Sequence, residues 1–379
     1  MIRLSGPQSF GPECASEKVL RVTTNSNLPS PLRHGTVLVT DELTDIYDGF
    51  HTVLSRSDRL NLPTLASWAS YLNDGDIVYV SPVKSWLQVL YRKSSPINSF
   101  LVTERCSSNC VMCSQPPKAA ADDHLYSSFI ESIPMIPRSA QEVGITGGEP
   151  LLNFDLFIKA IERARAYLPE TALHVLTNGR LLAYLENARR IAKVQHPDLM
   201  FGIPLYSDLS DRHDFVVQAR GAFDQTIRGI INMQRLGLRV EVRFVLHRLT
   251  VDRVREFARF IARNLPFVEH VAFMGLEHMG YVKMNFDALW VDPVDYADDL
   301  DFAVQHLSRA RIRTSIYNLP LCVLPKSARP FAQRSISDWK NDFLPACDTC
   351  AAKSKCAGFF SWNLTCPSRG IHPLSQVEI

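Results

Sequence analysis

The chain has no window of about 18 consecutive apolar residues, the length a membrane-spanning helix needs. Its opening, Met1-Ile2-Arg3-Leu4-Ser5-Gly6, lacks the run of about seven apolar residues that an export signal carries. The expectation is a soluble, cytoplasmic protein with no membrane partner. An excess of charge of one sign is missing too: 41 basic against 39 acidic side chains leave a net charge of +2. Without a basic stripe, nucleic acid has no electrostatic footprint to bind. Internal repeats and low-complexity tracts are absent, which argues against solenoids and disordered linkers. What is present is 379 residues, 46% of them hydrophobic, enough for a sizeable core and for more than one average domain.

Nine cysteines carry the chemistry. In a reducing compartment they are metal or cluster ligands before they are disulfides. Cys106, Cys110 and Cys113 follow a C-x3-C-x2-C spacing that presents three thiolates from one loop. Three thiolates suit an iron–sulfur cube whose fourth iron stays open to a small molecule. Structural zinc completed by a distant ligand, or unrelated core cysteines, are the competing readings. Downstream, residues 142 to 146 read as a short buried strand that runs into Gly147-Gly148-Glu149-Pro150, where two glycines permit close backbone approach and a carboxylate follows.

The cysteine loop and this turn, about one βα unit apart, together resemble the two motifs of the radical S-adenosylmethionine (SAM) superfamily over about residues 97 to 320. The resemblance implies that Cys106, Cys110 and Cys113 ligate a [4Fe–4S] cluster and that SAM chelates its open iron. It also implies that Gly147, Gly148, Glu149 and Pro150 hold the methionine end of SAM. Met112 stands where the family commonly has an aromatic residue near the adenine, and a thioether fills the same apolar space. Asn178 and Ser207, at adjacent strand ends, are candidates for ribose or carboxylate contacts, with helix capping as the other reading of each. Glu277 follows a buried-looking strand and faces either the cavity, as a SAM contact or a base on substrate, or solvent. His213, His247 and His278 also lie near strand ends, with no spacing that suggests a metal site.

Strand and helix patterns alternate from residue 101 onward, which favours a parallel sheet with crossover helices. Strands are expected at 99–103, 173–176, 199–205, 240–246 and 268–274. Helices are expected from Asn153, with Phe154, Phe157, Ile161, Ala164 and Leu168 on one face; around Ile227, Ile230, Ile231 and Leu236; from a Thr250 cap, with Val254, Phe257, Ile261 and Leu265; and from Asp292-Pro293 through Leu307. About six βα units result. The fold class is therefore α/β, a partial (β/α)6 barrel of the radical SAM kind at 97–320. A small α+β or β-rich module at 1–96 precedes it, with a helix at 65–72 and strands at 75–80 and 86–91. A Cys-rich extension at 321–379 follows. Ligands of such sheets sit beyond the C-terminal strand ends.

In the extension, Cys347, Cys350 and Cys356 have C-x2-C-x5-C spacing, and with Cys322 they can close a complete four-thiolate cage. Zinc is the alternative occupant, and Cys366 the alternative fourth ligand. Cys14 has no partner nearby. The set resembles part of the SPASM or twitch extension of peptide-modifying radical SAM enzymes. That pattern continues with a cysteine where Phe360 stands here, so one auxiliary iron–sulfur cluster is expected rather than two. Phe100 to Cys106, Cys113 to Lys118, Tyr317 to Cys322 and the stretch Ser335-Ile336-Ser337-Asp338-Trp339-Lys340-Asn341 resemble the C-type radical SAM maturase of the His-Xaa-Ser system. This implies an oxidative crosslink or desaturation of a ribosomally made peptide through a 5′-deoxyadenosyl radical. It further implies a flavodoxin or ferredoxin as reductant and a second radical SAM maturase as partner. Rival readings are a radical SAM dehydrogenase of a small molecule and a non-catalytic, metal-bound partner subunit.

Overall fold

A computed structural model describes residues 3–42, 47–334 and 341–376. Residues 335–340 of the stretch likened to the His-Xaa-Ser maturase lie outside these. The chain forms two sheets. The first is built from β1 (Ser5–Pro7), β2 (Lys18–Thr23), β3 (Thr36–Thr40), β4 (Thr52–Ser55), β5 (Ile77–Ser81) and β6 (Trp86–Tyr91), in the order β1-β6-β5-β2-β3-β4. Because side chains alternate across a strand, this sheet has two different faces. Leu20, Val22, Val78, Val80 and Leu87 close a small core with Leu54, Leu65 and Leu72. Val19, Ile77 and Tyr91 join the core of the second sheet, and the Arg21 guanidinium donates to the Met135 carbonyl at 2.6 Å.

The helix expected at 65–72 is a single 3-10 turn at Ser67–Ala69. The amides of Ala69, Ser70 and Leu72 donate three residues back, to Ala66, Ser67 and Ala69, rather than four, and Arg56 takes the free carbonyls of Ser70 and Leu72, each at 2.5 Å.

The second sheet holds seven parallel strands: β7 (Ile97–Leu101), β8 (Glu142–Thr146), β9 (Ala172–Leu176), β10 (Leu199–Pro204), β11 (Arg239–Leu246), β12 (His270–Gly275) and β13 (Arg313–Tyr317). They lie in strict chain order, so six crossovers, each carrying helix, end on a seventh strand as a partial barrel. Asn153 caps the helix Phe154–Tyr167, its Oδ1 accepting from the Leu156 amide at 3.4 Å. Phe157, Ile161 and Ala164 of that helix are buried against the sheet. Phe244, Phe257 and Phe273 meet between β11, β12 and the helix Val254–Asn264, with ring centroids 4.4 to 6.3 Å apart.

Three details differ from the sequence expectation. Ile231 is 42% exposed, because the buried stripe of the helix Ala222–Arg235 runs through Thr226, Gly229, Ile230 and Met233. Ile231 lies one residue, about 100° of helix rotation, past Ile230. The Thr250 hydroxyl does not cap the helix that follows; it bonds back to Val245 and His247. Asp292 caps a 3-10 turn at Pro293–Asp295, and the α-helix starts only at Ala297.

In β11, Val240, Val242, Phe244 and Leu246 join the core, and Glu241 and Arg243, the polar residues that alternate with them, turn to the other face and line the barrel. Glu241 is buried in the lumen, 2.6 Å from His270 Nδ1 and 3.3 Å from Arg243 Nε. His174 Nε2 lies 3.5 Å from Glu241, an ion-pair separation without hydrogen-bond geometry. His270 Nε2 reaches Ser315 at 3.0 Å. Gly202 makes room, since a side chain there would meet His174 and Arg243.

Burial raises the Glu241 carboxyl, but the neighbouring His174, the hydrogen bond of His270 and the charge of Arg243 outweigh it and hold it well below the carboxylate range. Burial lowers His174, but Glu142 and Glu241 outweigh it and push it up to about 9. The His174 contribution is complete below its ordinary 6.5 and is lost as pH rises through about 9. The Glu241 contribution is present above its ordinary 4.5 and is lost as pH falls. Glu241→Gln is therefore expected to cost about 1–3 kcal/mol of stability near pH 6. In denaturant titrations across pH 5 to 9.5 the deficit should shrink at the alkaline end; a pH-independent deficit would rule this account out.

Candidate active site

All loops at the C-terminal ends of the parallel strands open on one side of the barrel, and the sequence-chosen residues gather there. After β7 the chain is anchored by Asp122, whose carboxylate accepts from Thr103 Oγ1 at 2.8 Å, the Glu104 amide at 2.5 Å and Arg105 Nε at 2.9 Å. The cysteine loop then takes over the end of the helix Ser210–Val217. The amides of Asn109 and Val111 donate to the Val217 and Val216 carbonyls at 3.0 and 2.9 Å, satisfying acceptors that a helix C-terminus leaves unpaired.

Cys106, Cys110 and Cys113 are partly buried, and Cys110 is the deepest of the three. The Ser108 amide points at Cys106 Sγ from 3.4 Å. Burial, then the neighbouring Cys113 and Cys106, pushes the Cys110 thiol up to about 12. Thiols raised by burial and by one another ionise readily only beside a bound cation.

Gly147 and Gly148 lie against this loop. The Gly148 amide donates to the Thr103 carbonyl and the Glu149 amide to the Arg105 carbonyl, both at 2.8 Å. A Cβ on Gly148 would run into the Arg105 carbonyl group. In this structure, the backbone that approaches the two glycines is that of the cysteine loop. Glu149 is fully buried. Its carboxylate accepts from the Leu151 amide at 2.9 Å, the Thr177 hydroxyl at 2.6 Å and the Asn178 amide at 2.7 Å, tying the β8 and β9 loops together. Burial raises its pKa against those three bonds. Pro150 opens the 3-10 turn that follows.

Asn178 Nδ2 donates to Ser107 Oγ at 3.0 Å. Sequence reasoning missed Arg180, which donates to the Ser107 carbonyl at 2.6 Å, to Ser108 Oγ at 3.1 Å and to Gln225 at 2.7 Å. The only signal was its place two residues after Asn178, which says nothing of where a long side chain reaches.

Met112 is buried with Tyr206, Leu276, Val282 and Leu289. Ser207 is buried, and its hydroxyl accepts from the Leu209 amide at 3.1 Å. Glu277 is half-buried just past β12. Its neighbours form a second buttress: the Tyr281 amide donates to the Cys113 carbonyl at 2.9 Å, and Asn285 Nδ2 to the Val111 carbonyl at 2.8 Å. Gly280, at φ +59°, abuts the Cys113–Ser114 backbone so closely that no side chain fits. The histidines do not join one another. His213 accepts from the Tyr206 amide at 3.2 Å, and burial lowers it to about 4. His247 is buried and lowered to about 3. His278 meets Phe286 edge-on.

In the extension, Cys322, Cys347, Cys350 and Cys356 line one cavity with Leu321, Phe359, His372 and Leu374; Cys366 is not among its walls. Backbone amides converge on the sulfurs: Leu321 and Gly358 donate to Cys356 at 3.3 and 3.5 Å, and Leu374 to Cys350 at 3.3 Å. Four soft donors in an apolar pocket with N–H···S bonds fit an iron–sulfur cluster, and the three thiols of the barrel loop fit one that takes its fourth ligand from a bound molecule. Among the described residues no three or more His, Cys, Asp or Glu side chains are gathered as the shell of a single metal ion. Phe360, where the SPASM pattern has a cysteine, is buried and stacked on Trp362. Cys14 is buried in the N-terminal module, and burial pushes it up to about 11. Among the described residues no helix is long and apolar enough to cross a membrane.

Residues 100–261, less than half of the chain, match the model of the radical SAM superfamily. A probable GTP 3′,8-cyclase of Methanocella arvoryzae is 27% identical over 184 residues, 46% of this chain and 56% of that protein. The GTP 3′,8-cyclase of Listeria monocytogenes is 27% identical over 208 residues, 51% and 60%. The match thus spans little more than half the length of these relatives. Among solved structures, Streptococcus suis SuiB bound to S-adenosylmethionine aligns with TM-score 0.47 at 14% identity, covering 61% of this chain and 51% of that one. The anSMEcpe structure with bound AdoMet and a peptide aligns with TM-score 0.45 at 16% identity, covering 58% and 63%.

Proposed function

We propose that the chain is a radical SAM oxidoreductase that oxidatively modifies, by crosslink or desaturation, a ribosomally made peptide of the His-Xaa-Ser type. The observation that carries this reading is the loop bearing Cys106, Cys110 and Cys113, held at the C-terminal barrel mouth by Gly147, Gly148, Asn178 and Arg180. Cys106, Cys110 and Cys113 would hold a [4Fe–4S] cluster with one open iron, which supplies reductive cleavage of SAM to a 5′-deoxyadenosyl radical. Met112 forms the apolar wall of the SAM pocket, the Gly147–Pro150 turn its methionine end, and Asn178 and Ser207 its polar contacts. Since the Glu149 carboxylate is committed to the β8 and β9 loops, the turn offers its backbone to that end. Glu277 contacts SAM or takes a substrate proton. Cys322, Cys347, Cys350 and Cys356 would hold one auxiliary iron–sulfur cluster. A flavodoxin or ferredoxin in the cytoplasm serves as reductant, and a second radical SAM maturase as partner.

Anaerobic reconstitution followed by iron, sulfide and zinc analysis tests the ligand sets. Incubation with SAM, reductant and a co-expressed His-Xaa-Ser peptide tests the reaction. Expected results are iron and sulfide at both sites, deoxyadenosine, and a peptide lighter by two hydrogens. Stoichiometric zinc without iron would support a scaffold instead. Turnover of GTP with an unchanged peptide would move the substrate to the class for which the curated relatives are named.

A further inference from the structure

The extension holds the connection that follows β12 at two places: Ser368 and Arg369 bond Asp292 near its end, and Asn363 grips its start. Asn363 Oδ1 accepts from the His278 amide at 2.9 Å, and Asn363 Nδ2 donates to the Leu276 carbonyl at 2.9 Å. One amide thus engages both backbone groups flanking Glu277, as a neighbouring strand would. It does so across 85 and 87 residues of chain. Asn363 itself belongs to the Ser361–Asn363 turn, seven residues past Cys356 in the sequence and next to the buried Phe360.

The segment it grips is the one that buttresses the cysteine loop. Four residues past Leu276 stands Gly280, pressed on the Cys113–Ser114 backbone, followed by the Tyr281 amide on the Cys113 carbonyl and Asn285 on the Val111 carbonyl. An unbroken chain of hydrogen bonds and tight backbone contacts therefore runs from the extension, through residues 276–285, to two carbonyls of the cysteine loop.

We infer that Asn363 is a positioning residue that sets the geometry of the Cys106–Cys110–Cys113 loop from the extension. The extension then has a role in the first cysteine set that is separate from any cluster of its own. The inference rests on the proposed reading of that loop as a cluster site. The mechanism is local: with Asn363 gone, the backbone groups at 276 and 278 lose their fixed partner, and the 276–285 segment can lift from Cys113.

The test is hydrogen–deuterium exchange on the full, metal-free chain, comparing the parent with Asn363→Ala and Asn363→Asp. Two lost bonds, each worth about 1 kcal/mol, should raise exchange in peptides covering 276–285 and 106–114 by roughly tenfold or more in the alanine variant. The aspartate variant keeps the acceptor for His278 but not the donor for Leu276, and should fall between. After reconstitution, Asn363→Ala should also lose iron from the first site to a chelator faster, with iron in the extension retained.

Unchanged exchange at 106–114 in both variants would overturn the inference. A parent that takes up no iron at that loop would defeat the cluster reading alone, because the exchange comparison needs no metal. If the alanine variant unfolds, seen as faster exchange throughout β7–β13, the aspartate variant decides: local acceleration confined to the two segments supports the inference, and parent-like exchange there overturns it.

Discussion

Cys110→Ala is expected to abolish deoxyadenosine formation while leaving the fold intact. Three backbone bonds hold this loop without the Cys110 sulfur: the Asn109 and Val111 amides donate to the end of the helix Ser210–Val217, and the Cys110 carbonyl accepts from the Cys113 amide at 3.0 Å. Alanine therefore removes the proposed ligand and little else. A cube that needs three protein thiolates cannot be held by two in a loop this short. Iron at the barrel loop should fall to background, iron at the extension should stay, and the thermal midpoint of the metal-free variant should match the parent. Deoxyadenosine formed at the parent rate would remove Cys110 from the ligand set.

Gly148→Ala is expected to be nearly as severe, though no ligand is touched. The atoms in the way of a new methyl group are the carbonyl carbon and oxygen of Arg105 and the oxygen of Glu104. None of these is a flexible side-chain end. That backbone is also fixed by the bonds from Gly148 to Thr103 and from Glu149 to Arg105. Relief requires the cysteine loop to move or those bonds to break, an overpacking cost of about 1–3 kcal/mol. The cost falls on the segment immediately before Cys106. Iron uptake at the first site should drop severalfold, and the thermal midpoint of the metal-free chain should fall. Gly35→Ala, where no atom lies within 4 Å, is the control and should change neither. A Gly148→Ala protein that takes up iron as the parent does would show that the glycine is not needed for loop approach.

The parts of this molecule that could be read from sequence are those whose residues act through their own neighbours. The helix Phe154–Tyr167 announced itself through an Asn153 cap and apolar residues at three- and four-residue steps. Strand β11 did so through Val240, Val242, Phe244 and Leu246. Each signal is local, and burial against the sheet preserved it. That Cys347, Cys350 and Cys356 share one cavity could be anticipated because they lie within one short segment.

Long side chains and long-range backbone partners were out of reach. Arg180 clamps Ser107 from 73 residues away, and Asn363 reaches Leu276 across 87; neither has a local pattern. Glu241 and Arg243 were visible as the polar half of an alternation. That polar half turns toward a barrel lumen occupied by His174 and His270, and only the neighbouring strands of the folded sheet show it. At 65–72 a helix was expected, and the amides there bond three residues back rather than four, leaving a single tight turn.

The last strand of the barrel has a further practical meaning. β13 ends the sheet, and its outer rim is met by the segment entering the extension: Ile316 pairs with Ala332, and the Gln333 amide donates to the Ile316 carbonyl at 2.8 Å. A protein cut back to its barrel would bare that rim as a template for a stranger's strand. Its insolubility would then report an unguarded border, not a lost cofactor, which makes point substitution the sound way to dissect the two halves.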